Sequence, residues 1–176
     1  MNPDASRVEI RDYDPACPLR FAQLATRILS TVGESALRAE HVGSTAVSGL
    51  AGKPVIDIDV VVARQDNVPE VIRRLGTLGY VHEGDLGVPG REALRGTSGE
   101  PRHHLYVVVA GSDALTRHLR FRDALRADTA LRDSYAHLKR AAAAQHRGDR
   151  IAYTQAKSAF IEEVLAQAAA KSGRVV

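Results

Sequence analysis

His41-Val42-Gly43-Ser44-Thr45, followed by Lys53-Pro54-Val55-Ile56-Asp57-Ile58-Asp59-Val60-Val61-Val62, is the stretch on which the fold of this chain turns. The second run alternates. Ile56, Ile58, Val60 and Val62 fall on one face of a strand, and Asp57 and Asp59 on the other. Side chains at i and i+2 share a face, roughly 6–7 Å apart along it. Two carboxylates held that close can clamp one hard cation such as Mg²⁺. The Gly43-Ser44 turn offers backbone N–H groups and a hydroxyl to phosphate. Lys53, directly before the strand, brings a cation. The plainer alternative is an amphipathic strand with a polar outer face and a solvated loop lysine.

The rest of the chain fits around this core. An Asp14-Pro15 start and the apolar residues Leu19, Phe21, Ala22, Leu24, Ala25, Ile28, Leu29 and Val32 predict a helix that Gly33 stops. Leu37–Val42 predicts a strand, Thr45–Leu50 a short helical turn, and Val55–Val62 the aspartate-bearing strand. Asn67 and Pro69 predict a capped helix over 69–78. A second β region begins at Tyr80–Glu83, turns at Asp85–Gly90 and continues in an edge strand, Arg91–Arg95. A mobile loop is expected over Gly96–Pro101, then a strand over His104–Ala110. From Asp113 onward the pattern is helical, at about 113–127, 129–147 and 149–171. Asp128 or Thr129, and Asp149, stand as caps, and Gly173 ends the last helix. That helix is expected to bury Ile151, Ala159, Phe160, Val164 and Leu165.

The fold class is therefore α/β, with a sheet core over 1–111 and a C-terminal helical lobe over 112–176, read as one domain over 1–176. With 44% hydrophobic residues but no Trp, aliphatic side chains must fill the core. The lone cysteine, Cys17, excludes an internal disulfide and a cysteine-rich zinc site. The polar start shows no signal-peptide run, and no apolar segment approaches a membrane span, so a cytoplasmic protein without a membrane partner is expected. The net charge of +3 suits an anionic small ligand and is too weak to argue for nucleic acid. No Gly-x-Ser-x-Gly or P-loop pattern is present.

Glu40-His41-Val42-Gly43-Ser44-Thr45, Gly49-Leu50, Lys53-Pro54 and Asp57-Ile58-Asp59 resemble the signature of the GrpB family. That family belongs to the nucleotidyltransferase superfamily, with its DNA polymerase β-like fold. The resemblance continues at Tyr13-Asp14-Pro15, Phe121-Arg122-Asp123, Leu125-Arg126, Tyr135, Lys139, Tyr153 and Lys157. It implies a mixed β-sheet flanked by helices. It also implies that Gly43 and Ser44 hold a triphosphate and that Asp57 and Asp59 bind the divalent metal, Mg²⁺ or Mn²⁺. Arg122, Lys139, Tyr153 and Lys157 would then line the nucleotide site. Tyr153 and Lys157, at i and i+4, share a helix face; a tyrosine packed under a lysine stem explains that pair equally well.

The chain departs from the pattern in places. Active superfamily members add a third carboxylate on a neighbouring strand, whereas here that strand offers His104 and Tyr106. The family often carries a second histidine near Tyr106; Cys17 stands for a more usual Trp and Ser48 for a Pro. Of the adjacent His103 and His104, His104 is expected to face the cleft, either as a base or, with the aspartates, in a mixed site favouring Zn²⁺ or Mn²⁺. Glu83 or Glu92 is the alternative base. His41 stands either as a phosphate or Asp57 contact or as a satisfied strand-end histidine. The sequence thus predicts a metal-dependent nucleotidyltransferase-fold protein that binds a nucleoside triphosphate and transfers a nucleotidyl group to a small acceptor. The alternative is a non-catalytic nucleotide- or metabolite-binding module. Some family members are fused to dephospho-coenzyme A kinase domains, which links that alternative to coenzyme A metabolism.

Overall fold

The computed structural model describes residues 8–96 and 101–172. Helix α1 (Cys17–Val32) leads into strand β1 (Arg38–Val42). A single 3₁₀ turn, Ser44–Ala46, and a loop then connect to β2 (Ile56–Val62). After α2 (Val68–Gly76) come β3 (Val81–Gly84), β4 (Arg91–Arg95) and β5 (His103–Val109). The helical part comprises α3 (Asp113–Ala127), α4 (Thr129–Gln145), α5 (Arg150–Gln155) and α6 (Ser158–Ser172). No helix among the described residues is long and apolar enough to cross a membrane.

The five strands form one mixed sheet in the order β1-β2-β5-β4-β3. Only β2 and β5 run parallel; the other neighbours are antiparallel. Register fixes the two faces, because residues paired directly across a sheet share a face. Ile56, Ile58, Val60, Val62, Leu105 and Val107 face α1 and α2 and form the main core. Several of these are fully buried, each worth about 1.5–3 kcal/mol of transfer free energy. The opposite face carries Asp57 and Asp59 on β2, His104 and Tyr106 on β5, and Arg91 and Ala93 on β4. Helix α3 covers one end of that face through Leu115, packed on Val61 and Val108. The other end is left polar.

A second core joins the sheet to the helices. Val47, Leu50 and Ala51, from the loop after the Gly-Ser turn, bury against Leu125 of α3 and Tyr135 and Ala136 of α4. Arg11 and Gly52 form an isolated antiparallel bridge on its outer side. The loop is thus wedged between two packed layers, which holds its neighbour, the Gly43-Ser44 turn, in a fixed place.

Four expectations change. Strand β4 is internal, between β5 and β3, because β3 pairs along its free side. The last helix is two helices. Its α5 segment ends at Gln155, where the Lys157 N–H bonds the Thr154 carbonyl. That break turns Tyr153 inward and leaves Ile151 72% exposed; Ala159 and, on α1, Leu19 are exposed as well. Asn67 does not cap α2 with its side chain; its Oδ1 accepts from the Arg64 N–H. The caps at Asp128 and Asp149 form as expected, Asp128 Oδ1 accepting from Leu131 N–H at 2.9 Å and Asp149 Oδ1 from Ile151 and Ala152 N–H at 3.0 and 2.9 Å. Residues 97–100 of the expected loop, and Gly173, lie outside the described residues.

Candidate active site

The Gly-Ser turn and the aspartate strand meet. Gly43 has φ +71°, a conformation open to glycine. A Cβ built there would stand 2.2 Å from Asp57 Oδ2, so the turn's backbone lies against the carboxylate. Ser44 Oγ accepts a 2.8 Å hydrogen bond from Lys139 Nζ, which α4 brings from across the cleft. Gly52 makes room for that pair, since a Cβ at 52 would lie 2.6 Å from Ser44 Cβ and 3.3 Å from Lys139 Nζ.

The two aspartates are each tied to a histidine. His104 Nδ1 donates to Asp57 Oδ1 at 2.8 Å, and His118 Nδ1, from α3, donates to Asp59 Oδ2 at 2.7 Å. Asp59 is fully buried, and its Oδ1 has no hydrogen-bond partner. A buried carboxylate oxygen left unpaired costs free energy until a proton or cation faces it. Between the two histidines lies Tyr106, its ring centroid 6.4 Å from His104 and 6.3 Å from His118. Burial, with Asp57 beside it, raises the Tyr106 hydroxyl above its ordinary range.

Lysines gather on the other side of Asp57. Lys157 Nζ and Lys53 Nζ sit 4.2 and 4.8 Å from the centroid of Tyr153, and Lys139 Nζ 4.7 Å from that of Tyr135. Burial lowers all three, assisted by their neighbours' charge and opposed by Asp57. Lys139, next to Lys157, comes down to about 7; Lys157, next to Lys53, to about 8; Lys53, next to Arg150, falls too. None of the three pairs with a carboxylate among the described residues. Burial also lifts the Tyr153 hydroxyl to about 12.

Arg122 is not part of this group. Its guanidinium is taken up by Glu40 at 2.9 Å, Asp123 at 2.7 Å and the His41 carbonyl at 3.1 Å. Arg126 and Arg132 likewise donate to the Ala46 and Ser48 carbonyls. These arginines bolt the turn to the helical lobe. His41 is the satisfied histidine. It shares a face with Ile58, opposite the aspartates, and stacks on Phe21 at 4.5 Å. Its Nε2 lies 3.0 Å from Thr45 Oγ1, which in turn donates to the Val55 carbonyl. Burial, with Arg126 nearby, holds its pKa down near 4. Glu83 and Glu92 are not available as a base: Glu83 is bound to Arg95 and Glu92 to His82 at the β3–β4 edge.

Sequence reasoning missed His118, because the pattern of α3 gives no sign of which residue stands over β2. It also missed Glu40 as a cleft-face acid. Register places Glu40 directly opposite Asp59. Burial pushes its carboxyl up, but hydrogen bonds from Arg38 and Arg122 outweigh this and leave it lowered. Its alternation with His41 along β1 was the available signal.

The donor chemistry here would suit a hard divalent cation. No cluster of three or more metal-ligating side chains exists among the described residues. Mg²⁺ does not require one, since it is commonly held by one or two carboxylates with phosphate and water completing its shell. Asp57 Oδ2, against the Gly43 turn, and the unpaired Asp59 Oδ1 are the oxygens left for it.

A mixed five-stranded sheet with paired aspartates beside a Gly-Ser turn defines a protein of the nucleotidyltransferase fold. The Cid1 poly(U) polymerase with bound MgGTP superposes with a TM-score of 0.54 over 78% of this chain and 45% of its own, at 14% identity, a likeness of fold. The chain belongs to the GrpB family: the family described as GrpB protein matches residues 7–167. The crystal structure of the conserved protein GrpB from Enterococcus faecalis superposes with a TM-score of 0.84 at 31% identity, over 94% of this chain and all of that one. A UPF0157 protein of Halalkalibacterium halodurans is 36% identical over 172 residues, 96% of this chain and 86% of its own length.

Proposed function

We propose that this cleft binds a nucleoside triphosphate with a divalent metal and transfers its nucleotidyl group to a small acceptor. The observation that supports it best is the lysine group. Three lysines lie part or wholly buried around Ser44 and Tyr153, with Asp57 near them but no carboxylate in salt-bridge contact among the described residues. Buried ammonium groups without partners are costly; a polyanion supplies what is missing. Lys139 and Ser44 would hold the terminal phosphates, with Lys53 and Lys157 along the chain. Tyr153, already under two lysines, forms the floor.

Asp57 Oδ2 and Asp59 Oδ1 would hold Mg²⁺ or Mn²⁺. Such an ion, when bound, neutralises charge on the phosphates and polarises the one under attack. His104 does the work of the carboxylate that β5 lacks. Its Nδ1 is committed to Asp57, so Nε2 is the nitrogen that accepts the acceptor's hydroxyl proton. The acceptor oxygen then bonds to the α-phosphorus as the bond to the pyrophosphate oxygen breaks, and pyrophosphate leaves toward the lysines.

The test is calorimetric titration with ATP, GTP, CTP, UTP and dephospho-coenzyme A, with and without Mg²⁺ or Mn²⁺. Metal-dependent binding of a nucleotide is expected, lost in Asp57→Asn. Equal metal-independent binding by wild type and variant would refute the reading. Binding of a nucleotide without pyrophosphate release under any acceptor would leave a binding module.

A further inference from the structure

The lysines account for one side of the aspartate pair. On the other side Arg91 stands over the sheet. Arg91 of β4 shares the aspartates' face and packs its guanidinium 4.3 Å from the Tyr106 ring centroid. Tyr106 pairs in register with Asp59 on one flank and Ala93 on the other. The order across the face is therefore Asp59, Tyr106, then Ala93, with Arg91 leaning over the tyrosine. Two inter-strand steps separate β2 from β4, about 10 Å.

Arg91 is chemically unfinished. Its Nε is buried and has no hydrogen-bond partner. No carboxylate pairs with it among the described residues, whereas Arg38, Arg73, Arg74, Arg95, Arg117 and Arg122 each hold an acid. The guanidinium lies within cation–π range of the ring, and a guanidinium can offer a forked pair of N–H donors. Ala93 keeps the floor beside it low. The chemistry that completes such a group is a planar or tetrahedral oxyanion.

We propose that this face is the acceptor subsite, and that the acceptor is held by a carboxylate or phosphate on Arg91. Its role as acceptor seat rests on the nucleotidyl-transfer reading; the anion seat itself does not. The place of the guanidinium, over the Tyr106 ring one strand away from Asp59, sets the shape of the acceptor. Its nucleophilic hydroxyl reaches His104 and the aspartates while its anion stays on Arg91, so the two groups lie several bonds apart.

The test follows the Arg91 side-chain Nε–Hε resonance by NMR, assigned by its disappearance in Arg91→Gln. Full-length protein is titrated with sodium phosphate, with sodium acetate, and with sodium chloride at matched ionic strength. A saturable shift with phosphate or acetate and none with chloride is expected. The responding anion distinguishes a phosphorylated from a carboxylated acceptor. In Lys157→Gln the shift persists with unchanged affinity, whereas Arg91→Lys, which keeps the charge but loses the fork, weakens the anion by about tenfold or more as read at the Tyr106 ring protons. Linear shifts equal to those in chloride, or a response lost in Lys157→Gln, would overturn the proposal. Failure of metal-dependent ATP binding would remove the nucleotide reading and leave this result standing separately.

Discussion

Replacing Lys139 by methionine should stabilise the ligand-free protein at neutral pH while destroying its affinity for triphosphate. Lys139 is 2% exposed, and burial next to Lys157 brings it from an ordinary 10.5 to about 7. Each unit is about 1.4 kcal/mol of preference for the neutral form, so holding the charged form costs on the order of 5 kcal/mol. Methionine fills a similar volume without charge. It leaves the Ser44 hydroxyl without its donor, a loss of about 1–2 kcal/mol. The net gain at pH 6.5 is then on the order of 3 kcal/mol. The sign of the pH dependence follows. Below pH 7 the lysine is charged in both states and the cost is fully present. Between about 7 and 10.5 the unfolded chain binds the extra proton, so wild-type stability rises with pH. The methionine variant lacks that slope. Urea unfolding of both proteins at intervals from pH 6.5 to 9.5 measures the difference, in which all other titrations cancel. A difference that is flat over this range, or a methionine variant less stable at pH 6.5, would refute the reasoning. In wild type, inorganic triphosphate at pH 8 should bind with proton uptake, visible as a buffer-dependent heat; the variant should show none.

Gly43→Ala places a Cβ 2.2 Å from Asp57 Oδ2 at a φ of +71°; it should abolish metal-dependent nucleotide binding with the circular dichroism spectrum retained, and undiminished binding would show that the turn does not set the carboxylate. His118→Ala removes the one hydrogen-bond partner that Asp59 has here, and should cost about 2–3 kcal/mol in urea unfolding. A second change, Asp59→Asn, should recover most of that loss, and additivity of the two would mean the pair is not formed. Lys157→Glu should weaken nucleotide binding at least tenfold more than Arg120→Glu, at an exposed position of α3; equal effects would reduce the lysine group to the general field of a basic protein.

Much of the fold is written in short-range pattern. The alternation of Ile56 to Val62 set both the strand and its two faces, and a β-branched run of this kind has few other uses. What failed depended on partners far along the chain. The internal position of β4 rests on β3 pairing with it, and nothing in Arg91–Arg95 itself records a second neighbour. The division of the last helix escaped because 149–171 is helical in composition throughout, with no Gly or Pro at the break after Gln155. The site divides in the same way. Gly43, Ser44, Asp57 and Asp59 stand close in sequence and were legible together. Lys139 and Lys157 came only through family resemblance. His118 is 59 residues from its carboxylate, and Arg122, singled out for the ligand, serves the backbone instead.

That last exchange follows from the chemistry of the two cations. The chain carries twenty arginines and four lysines. Its arginines do fixed tasks in the cleft wall: Arg122, Arg126 and Arg132 each donate to a carbonyl of the segment 41–48. A planar fork that stays charged at any working pH suits that task, since it can satisfy a carbonyl and an acid at once. Lys53, Lys139 and Lys157 share none of it. All three gather at the open part of the cleft, their charge made costly by burial and by one another. An arginine there would keep its charge and recruit an acid or carbonyl from the protein. A lysine can instead shed its proton while the cleft is empty and regain it when phosphate arrives. Buried cations without an acid in contact suit the polyanionic ligand proposed above. Lys139, brought to about 7 by burial next to Lys157, is the lysine whose charge an arriving polyanion would restore.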